Sequence, residues 1–192
     1  MEQLSNGETP TPVEVYDEIN SLHEQFYSQV PNYDRTVWSP QKAIKTRTGG
    51  CMAEMLYVAG GLLHSGILRE NDFSIRFSKD HGKLISVNMI GQQKPDIKHA
   101  VLMINIDDKQ YECDFRLYRA DEKPQFNAVR PDDEIYNNGS IEFFTLATGI
   151  SEYASRAGVK LEDIPTVSEI VSLHELPSST YEADQVRFDE DF

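Results

Sequence analysis

Residues 51–66 constrain the fold more than any other stretch, because they are apolar on nearly every side of a helix. A helix with a single apolar stripe lies on a protein surface, whereas a helix that is apolar all round is enclosed by other elements. The sequence therefore predicts a central, buried helix. It begins at Cys51, directly after Gly49 and Gly50, and Gly66 is well placed to end it.

Two helices are predicted before this one, each from a local start signal. Thr11-Pro12-Val13-Glu14 combines an N-cap residue, a proline at the first helical position and a capping-box glutamate, and the helix should end before Pro31. Ser39-Pro40 repeats this logic and predicts a short helix through Lys45. Residues 1–10 are polar and without period, so we expect a disordered leader there.

After the central helix the apolar residues recur at every second position, which predicts strands. We expect one hairpin from residues 73–78 and 83–90, and a second from residues 98–106 and 109–115 around a two-residue turn at Asp107-Asp108. Helical signals return from Ile141, with helices predicted near residues 151–157 and, behind a capping box at Thr166, over residues 166–176.

A two-residue turn at Asp107-Asp108 fixes the register of the second hairpin. Ile106 then faces Lys109, Leu102 faces Cys113 and Val101 faces Asp114. Cys113 belongs to the apolar face, while His99 and Asp114 become diagonal neighbours on the opposite face. A carboxylate in that position can hold an imidazole in the tautomer that accepts or gives a proton.

The two cysteines, Cys51 and Cys113, are too few for a disulfide framework. Cys51 opens the predicted central helix, where unpaired backbone N–H groups and the helix dipole lower the pKa of a thiol, so we expect it to be a nucleophile. Cys113 is expected to be a core residue. A small buried hydrophobic role for Cys51 is the alternative.

These segments resemble a known family. Residues 39–51, continuing to Ile67, are similar to the nucleophile segment of transglutaminase-like cysteine enzymes, and His99-Ala100-Val101 and Tyr111-Glu112-Cys113-Asp114 are similar to that family's histidine and aspartate strands. The resemblance implies an α+β, papain-like fold in which the helix carrying the cysteine packs on an antiparallel sheet carrying the histidine and aspartate. It also implies a catalytic triad of Cys51, His99 and Asp114.

Arylamine acetyltransferases share this chain order and are the second choice. They are expected to have a glycine-aromatic-glycine segment after the aspartate, whereas this chain has Phe115-Arg116-Leu117.

The resemblance implies acyl transfer through a thioester on Cys51, with water or an amine as the acceptor. Glutamine deamidation, crosslinking and proteolysis are the possible outcomes. The Cys51 backbone N–H and one further donor would hold the oxyanion, with Trp38 and Gln41 as the candidates. We expect no cofactor and no metal, because the sequence has no metal-ligand spacing and no nucleotide-binding glycine loop. A small-molecule acyltransferase and a catalytically idle acidic adaptor are the alternatives.

Charge restricts the partners. The chain has 18 Lys plus Arg against 32 Asp plus Glu, a net charge of −14, which disfavours nucleic acid and anionic membranes. No apolar stretch reaches the length of a membrane span. We expect a protein substrate with a basic surface, as for a bacterial effector.

The division of the chain follows from composition. Residues 11–176 are expected to form one catalytic domain, and residues 177–192 an acidic flexible tail that is also a candidate docking segment. No classical secretory signal is visible, so the expected location is the cytoplasm or the outside by a non-classical route.

Overall fold

The computed structural model describes residues 9–34, 36–78, 99–115, 123–129, 141–160 and 163–175. The predicted 83–90 strand, the 177–192 tail and most of the 1–10 leader lie outside these residues. The described elements, in chain order, are α1 (Pro12–Gln29), β1 (Asn32–Tyr33), α2 (Pro40–Thr46), β2 (Thr48–Gly49), α3 (Cys51–His64), a 3-10 turn (Glu70–Asp72), β3 (Phe73–Ser78), β4 (His99–Ile106), β5 (Lys109–Asp114), β6 (Gln125–Ala128), β7 (Ile141–Thr145), α4 (Leu146–Ala157) and α5 (Val167–Ser172).

The predicted helix starts are confirmed. At α1 the Thr11 side chain caps the backbone N–H of Glu14 and the Glu14 carboxylate returns to the Thr11 backbone, which completes the capping box. Ser39 caps α2 in the same way through Lys42, without the returning carboxylate. The helix α3 begins at Cys51, and Gly66 follows its last turn with a positive φ of 73°.

The described strands form a five-stranded antiparallel sheet in the order β6-β5-β4-β3-β7, beside a two-stranded parallel pair of β1 and β2. Helices and sheet together give the α+β class expected from the sequence. One face of the sheet shares the hydrophobic core with the helices through Phe73, Ile75, Phe77, Leu102, Ile104 and Cys113.

The helices cover this face of the sheet from several directions. In α1, Tyr16 stacks on Phe126 of β6 with ring centroids 5.8 Å apart. In α4, Gly149 packs so closely on Ile75 of β3 that an added Cβ would lie 2.9 Å from the Ile75 side chain. The central helix α3 is buried along almost its whole length, as predicted for a helix apolar on every side.

Two of the secondary-structure predictions are wrong. Both edges of β3 are occupied, one by β4 and the other by β7, which leaves no edge of β3 for the predicted hairpin. Residues 141–145 form the strand β7 rather than the start of a helical region, and the helix α4 begins only at Leu146. The strand β6 was not predicted. All three depend on partners distant in the chain, which a local pattern does not reveal.

Candidate active site

Cys51 is the first residue of α3 and is partly exposed. Two backbone contacts hold residues 48–50, which precede Cys51. The strand β2 pairs in parallel with β1, and the backbone N–H of Gly50 donates to the carbonyl oxygen of Val37 at 2.8 Å. A Cβ on Gly49 would lie only 2.8 Å from Cβ of Ala43, so the first of the two glycines is required by close packing against α2.

The surroundings of the Cys51 sulfur raise its pKa to about 11, chiefly through burial and then through the nearby Glu54 carboxylate. The backbone N–H groups of Met52 and Cys51 lower the pKa, as expected at a helix N-terminus, but they do not outweigh these two effects. The expectation of a lowered pKa is therefore wrong for the described surroundings. Cys51 is a thiol at neutral pH unless another group accepts its proton.

The register of the second hairpin is confirmed. Ile106 faces Lys109 and Leu102 faces Cys113, on either side of a turn in which Asp107 and Asp108 have positive φ angles of 48° and 60°. Two consecutive left-handed residues are the signature of a type I′ turn. The ladder ends at Leu102 and Cys113, one residue before the expected pair of Val101 and Asp114.

Asp114 is the last residue of β5 and is 2% exposed. Its carboxylate lies close enough to Cys51 to contribute to the rise in the pKa of that thiol. His99 is the first residue of β4, opposite Ser78 of β3, and its side chain lies outside the described part of the structure. Asp114 thus acts on Cys51 as a nearby negative charge, and the roles of Asp114 and His99 in a triad stay predictions.

Cys113 differs from Cys51 in its exposure to solvent. Its side chain is fully buried in the hydrophobic core, and burial raises its pKa well above the ordinary value. A thiol in such a site reacts as a small hydrophobic side chain rather than as a nucleophile.

The oxyanion candidates Trp38 and Gln41 line a cavity of about 410 Å³ whose lining does not include Cys51. The Trp38 ring is buried and lies 6.3 Å from that of Tyr153, and the Gln41 side-chain oxygen accepts a hydrogen bond from Ser39 Oγ at 3.0 Å. A backbone hydrogen bond connects the cavity wall to the segment before Cys51. The carbonyl oxygen of Val37, the residue before Trp38, accepts it from the N–H of Gly50, the residue before Cys51. An oxyanion role for either side chain stays a prediction.

Sequence reasoning missed a buried polar cluster beside Cys51. His23 Nδ1 and Glu54 Oε1 form a 2.6 Å hydrogen bond and Tyr27 Oη donates to Glu54 Oε2 at 3.2 Å, with His23 2% and Glu54 0% exposed. A sequence signal existed: His23 falls on the apolar stripe of α1, and Glu54 is the one carboxylate in a helix apolar on every side. A buried charge in such a helix requires a partner.

A second missed pair lies on the face of the sheet that Asp114 belongs to. Arg76 of β3 is 2% exposed and its Nη2 atom lies 2.8 Å from Glu112 Oε1, so the pair spans β4, which lies between their strands. The ion pair therefore links β3 to β5, the strand that ends at Asp114.

Within the described residues, no three His, Cys, Asp or Glu side chains are grouped so as to hold a metal ion. No helix among them is both long enough and apolar enough to span a membrane. No family model, curated protein or solved structure matches the chain.

Proposed function

We propose that this protein is a cysteine-dependent acyl-transfer enzyme with Cys51 as its nucleophile. The observation that carries the proposal is the position of Cys51: it is partly exposed and lies at the first turn of the central helix, directly after two glycines. The fully buried Cys113 offers no comparable site.

In the proposed reaction, the Cys51 sulfur attacks the carbonyl carbon of an amide while His99 takes the thiol proton. The C–N bond breaks, the proton passes from His99 to the departing nitrogen, and a thioester on Cys51 remains. Water or an amine then attacks the thioester, gives a proton to His99 and releases the acyl group, and His99 returns the proton to the sulfur. Asp114 holds the His99 imidazole in the required tautomer.

The raised pKa of Cys51 is compatible with this sequence if proton removal and attack occur together. A serine protease activates its hydroxyl in that way, through an adjacent histidine. The Cys51 nucleophile then needs no thiolate in the resting protein and depends on His99 as the base that accepts its proton.

The net charge of −14 favours a substrate with positive charge near the reacting amide. We propose a protein substrate with a basic surface, whose glutamine side chains are deamidated or crosslinked or whose backbone is cleaved. Attraction between opposite charges raises the rate of encounter and weakens as salt is added.

The proposal is tested with two glutamine peptides, one flanked by lysines and the other by glutamates, each incubated with the protein with and without a primary amine. Intact-mass analysis separates the outcomes, because hydrolysis of the side-chain amide, amine incorporation and backbone cleavage change the peptide mass differently. We expect a product from the lysine-flanked peptide, formed more slowly at high salt.

The matched controls are Cys51→Ala and Cys113→Ala. The first should abolish the product and the second should leave it unchanged. A product of equal yield from Cys51→Ala, or no product from either peptide, would count against the proposal. Acetyl transfer to an arylamine from a thioester donor, in place of reaction at glutamine, would favour the small-molecule alternative.

A further inference from the structure

A buried carboxylate lies one turn of helix away from the candidate nucleophile. Glu54 follows Cys51 by three positions in α3, so the two side chains share one side of the helix, with Cβ atoms about 5–6 Å apart. Glu54 is 0% exposed, so water screens its charge little.

The Glu54 carboxylate is held in a defined orientation. One oxygen is hydrogen-bonded to His23 and the other accepts a hydrogen bond from Tyr27, both residues of α1. The rings of His23 and Tyr27 are also in contact, with centroids 4.8 Å apart. A carboxylate with a donor on each oxygen does not rotate freely, so its distance from the Cys51 sulfur is set by the packing of α1 on α3.

Two carboxylates from different elements raise the pKa of Cys51, Glu54 of α3 itself and Asp114 of β5. Cys51 and Tyr33 of β1 in turn raise the pKa of Tyr27 of α1. A thiolate formed at Cys51 would lie beside the Glu54 charge, and the like charges would repel each other strongly at this depth.

We propose that Glu54, held by His23 and Tyr27, is a positioning residue that keeps the Cys51 sulfur protonated until a substrate and a general base are in place. The inference rests on the proposed function of Cys51. It assigns to the cluster the role of suppressing reaction of the resting thiol with oxidants and alkylating compounds, which attack the thiolate form.

The experiment measures the rate at which iodoacetamide alkylates Cys51 across a pH series, in the full chain, with each cysteine followed separately by peptide mass. Glu54→Gln keeps the shape of the side chain and removes its charge. We expect the midpoint of the pH profile to fall by about one pH unit, and the alkylation rate at neutral pH to rise about tenfold. An unchanged or raised midpoint would overturn the inference.

The matched control is Glu24→Gln, which changes the net charge equally at an exposed position of α1 and should leave the midpoint where it is. If Glu54→Gln does not fold, the unaltered protein still tests whether the resting thiol is kept protonated, by burial and by Glu54 together. Its midpoint for Cys51 should lie above the ordinary value of 9.0, and a midpoint at or below that value would overturn the inference.

The two proposals fail separately. A shifted midpoint without any thioester on Cys51 would leave the role of Glu54 intact and refute acyl transfer. A thioester on Cys51 with no shift in Glu54→Gln would support acyl transfer and refute the role of Glu54.

Discussion

His23 Nδ1 and Glu54 Oε1 form a 2.6 Å hydrogen bond in the interior of the protein, between α1 and α3. Burial raises the pKa of the Glu54 carboxyl above its ordinary value of 4.5, while the contacts with His23 and Tyr27 lower it. Desolvation is the largest of these effects, so the folded protein holds a proton at Glu54 more readily than the unfolded chain does.

This difference predicts a dependence of stability on pH. The contribution of Glu54 is fully present below its unfolded pKa, near 4.5, and is lost as the pH rises through the higher folded-state value, by about 1.4 kcal/mol for each unit of pKa difference. Glu54→Gln does not titrate. In urea unfolding over a pH series, the stability of the unaltered protein should therefore fall relative to that of Glu54→Gln above pH 4.5. Parallel curves for the two proteins would contradict the prediction.

The turn that sets the register of the second hairpin carries strain that can be removed. Asp108 has a φ of 60°, a conformation that costs most L-residues roughly 1–2 kcal/mol and glycine almost nothing. Asp108→Gly should stabilise the protein by about 0.5 kcal/mol after the larger entropy loss of glycine is counted. Lys109→Gly, in the adjoining strand, should destabilise it by about 0.5–1 kcal/mol. A loss of stability in Asp108→Gly would show that the aspartate makes a contact the turn needs.

Adjacent glycines in α3 differ in what an added methyl group would meet. A Cβ at Gly60 would lie 2.3 Å from the carbonyl oxygen of Ile170, so α5 must shift, whereas a Cβ at Gly61 would meet the side-chain methyls of Leu22. We expect Gly60→Ala to cost about 1–3 kcal/mol in urea unfolding and Gly61→Ala to cost less. Alanine normally improves a helix by about 1 kcal/mol over glycine. A gain of that size in Gly60→Ala would refute the close contact of α3 and α5.

The two cysteines should be separable by chemical modification without denaturant. Cys51 is partly exposed and should be alkylated in the folded protein, while the fully buried Cys113 should react only when the core opens. The rate at Cys113 should therefore rise with urea only in parallel with unfolding, whereas Cys51 should already react in the folded protein and react faster once unfolding removes the burial that raises its pKa. Equal labelling of both cysteines in the folded protein would contradict the assignment of Cys113 to the core.

The parts of the fold that sequence predicted correctly depend on contacts within a few residues. The capping box at Thr11, the start of α3 at Cys51 and the turn at Asp107-Asp108 are each set by a short pattern. The turn also carries the register from Ile106–Lys109 to Leu102–Cys113, because the strands pair outward from it. This register is what assigns Cys113 to the core face of the sheet.

The parts that sequence missed depend on contacts between distant segments. Nothing local shows that β7 will occupy the free edge of β3, or that His23 will be the partner of Glu54. The same holds for the Cys51 thiol: its helix position was predictable, but the burial that dominates its pKa depends on how α1 and the sheet pack around it. A prediction from the helix N-terminus alone therefore made the Cys51 thiol too acidic.

The central claim, that Cys51 carries the acyl group, is tested most directly by trapping the intermediate. The protein is mixed with an activated ester and quenched in acid, and the adduct is located by peptide mass and checked for release by hydroxylamine. We predict one hydroxylamine-labile acyl group on Cys51, retained in Cys113→Ala and absent from Cys51→Ala. An acyl group on another residue, or an adduct that persists in Cys51→Ala, would contradict the claim.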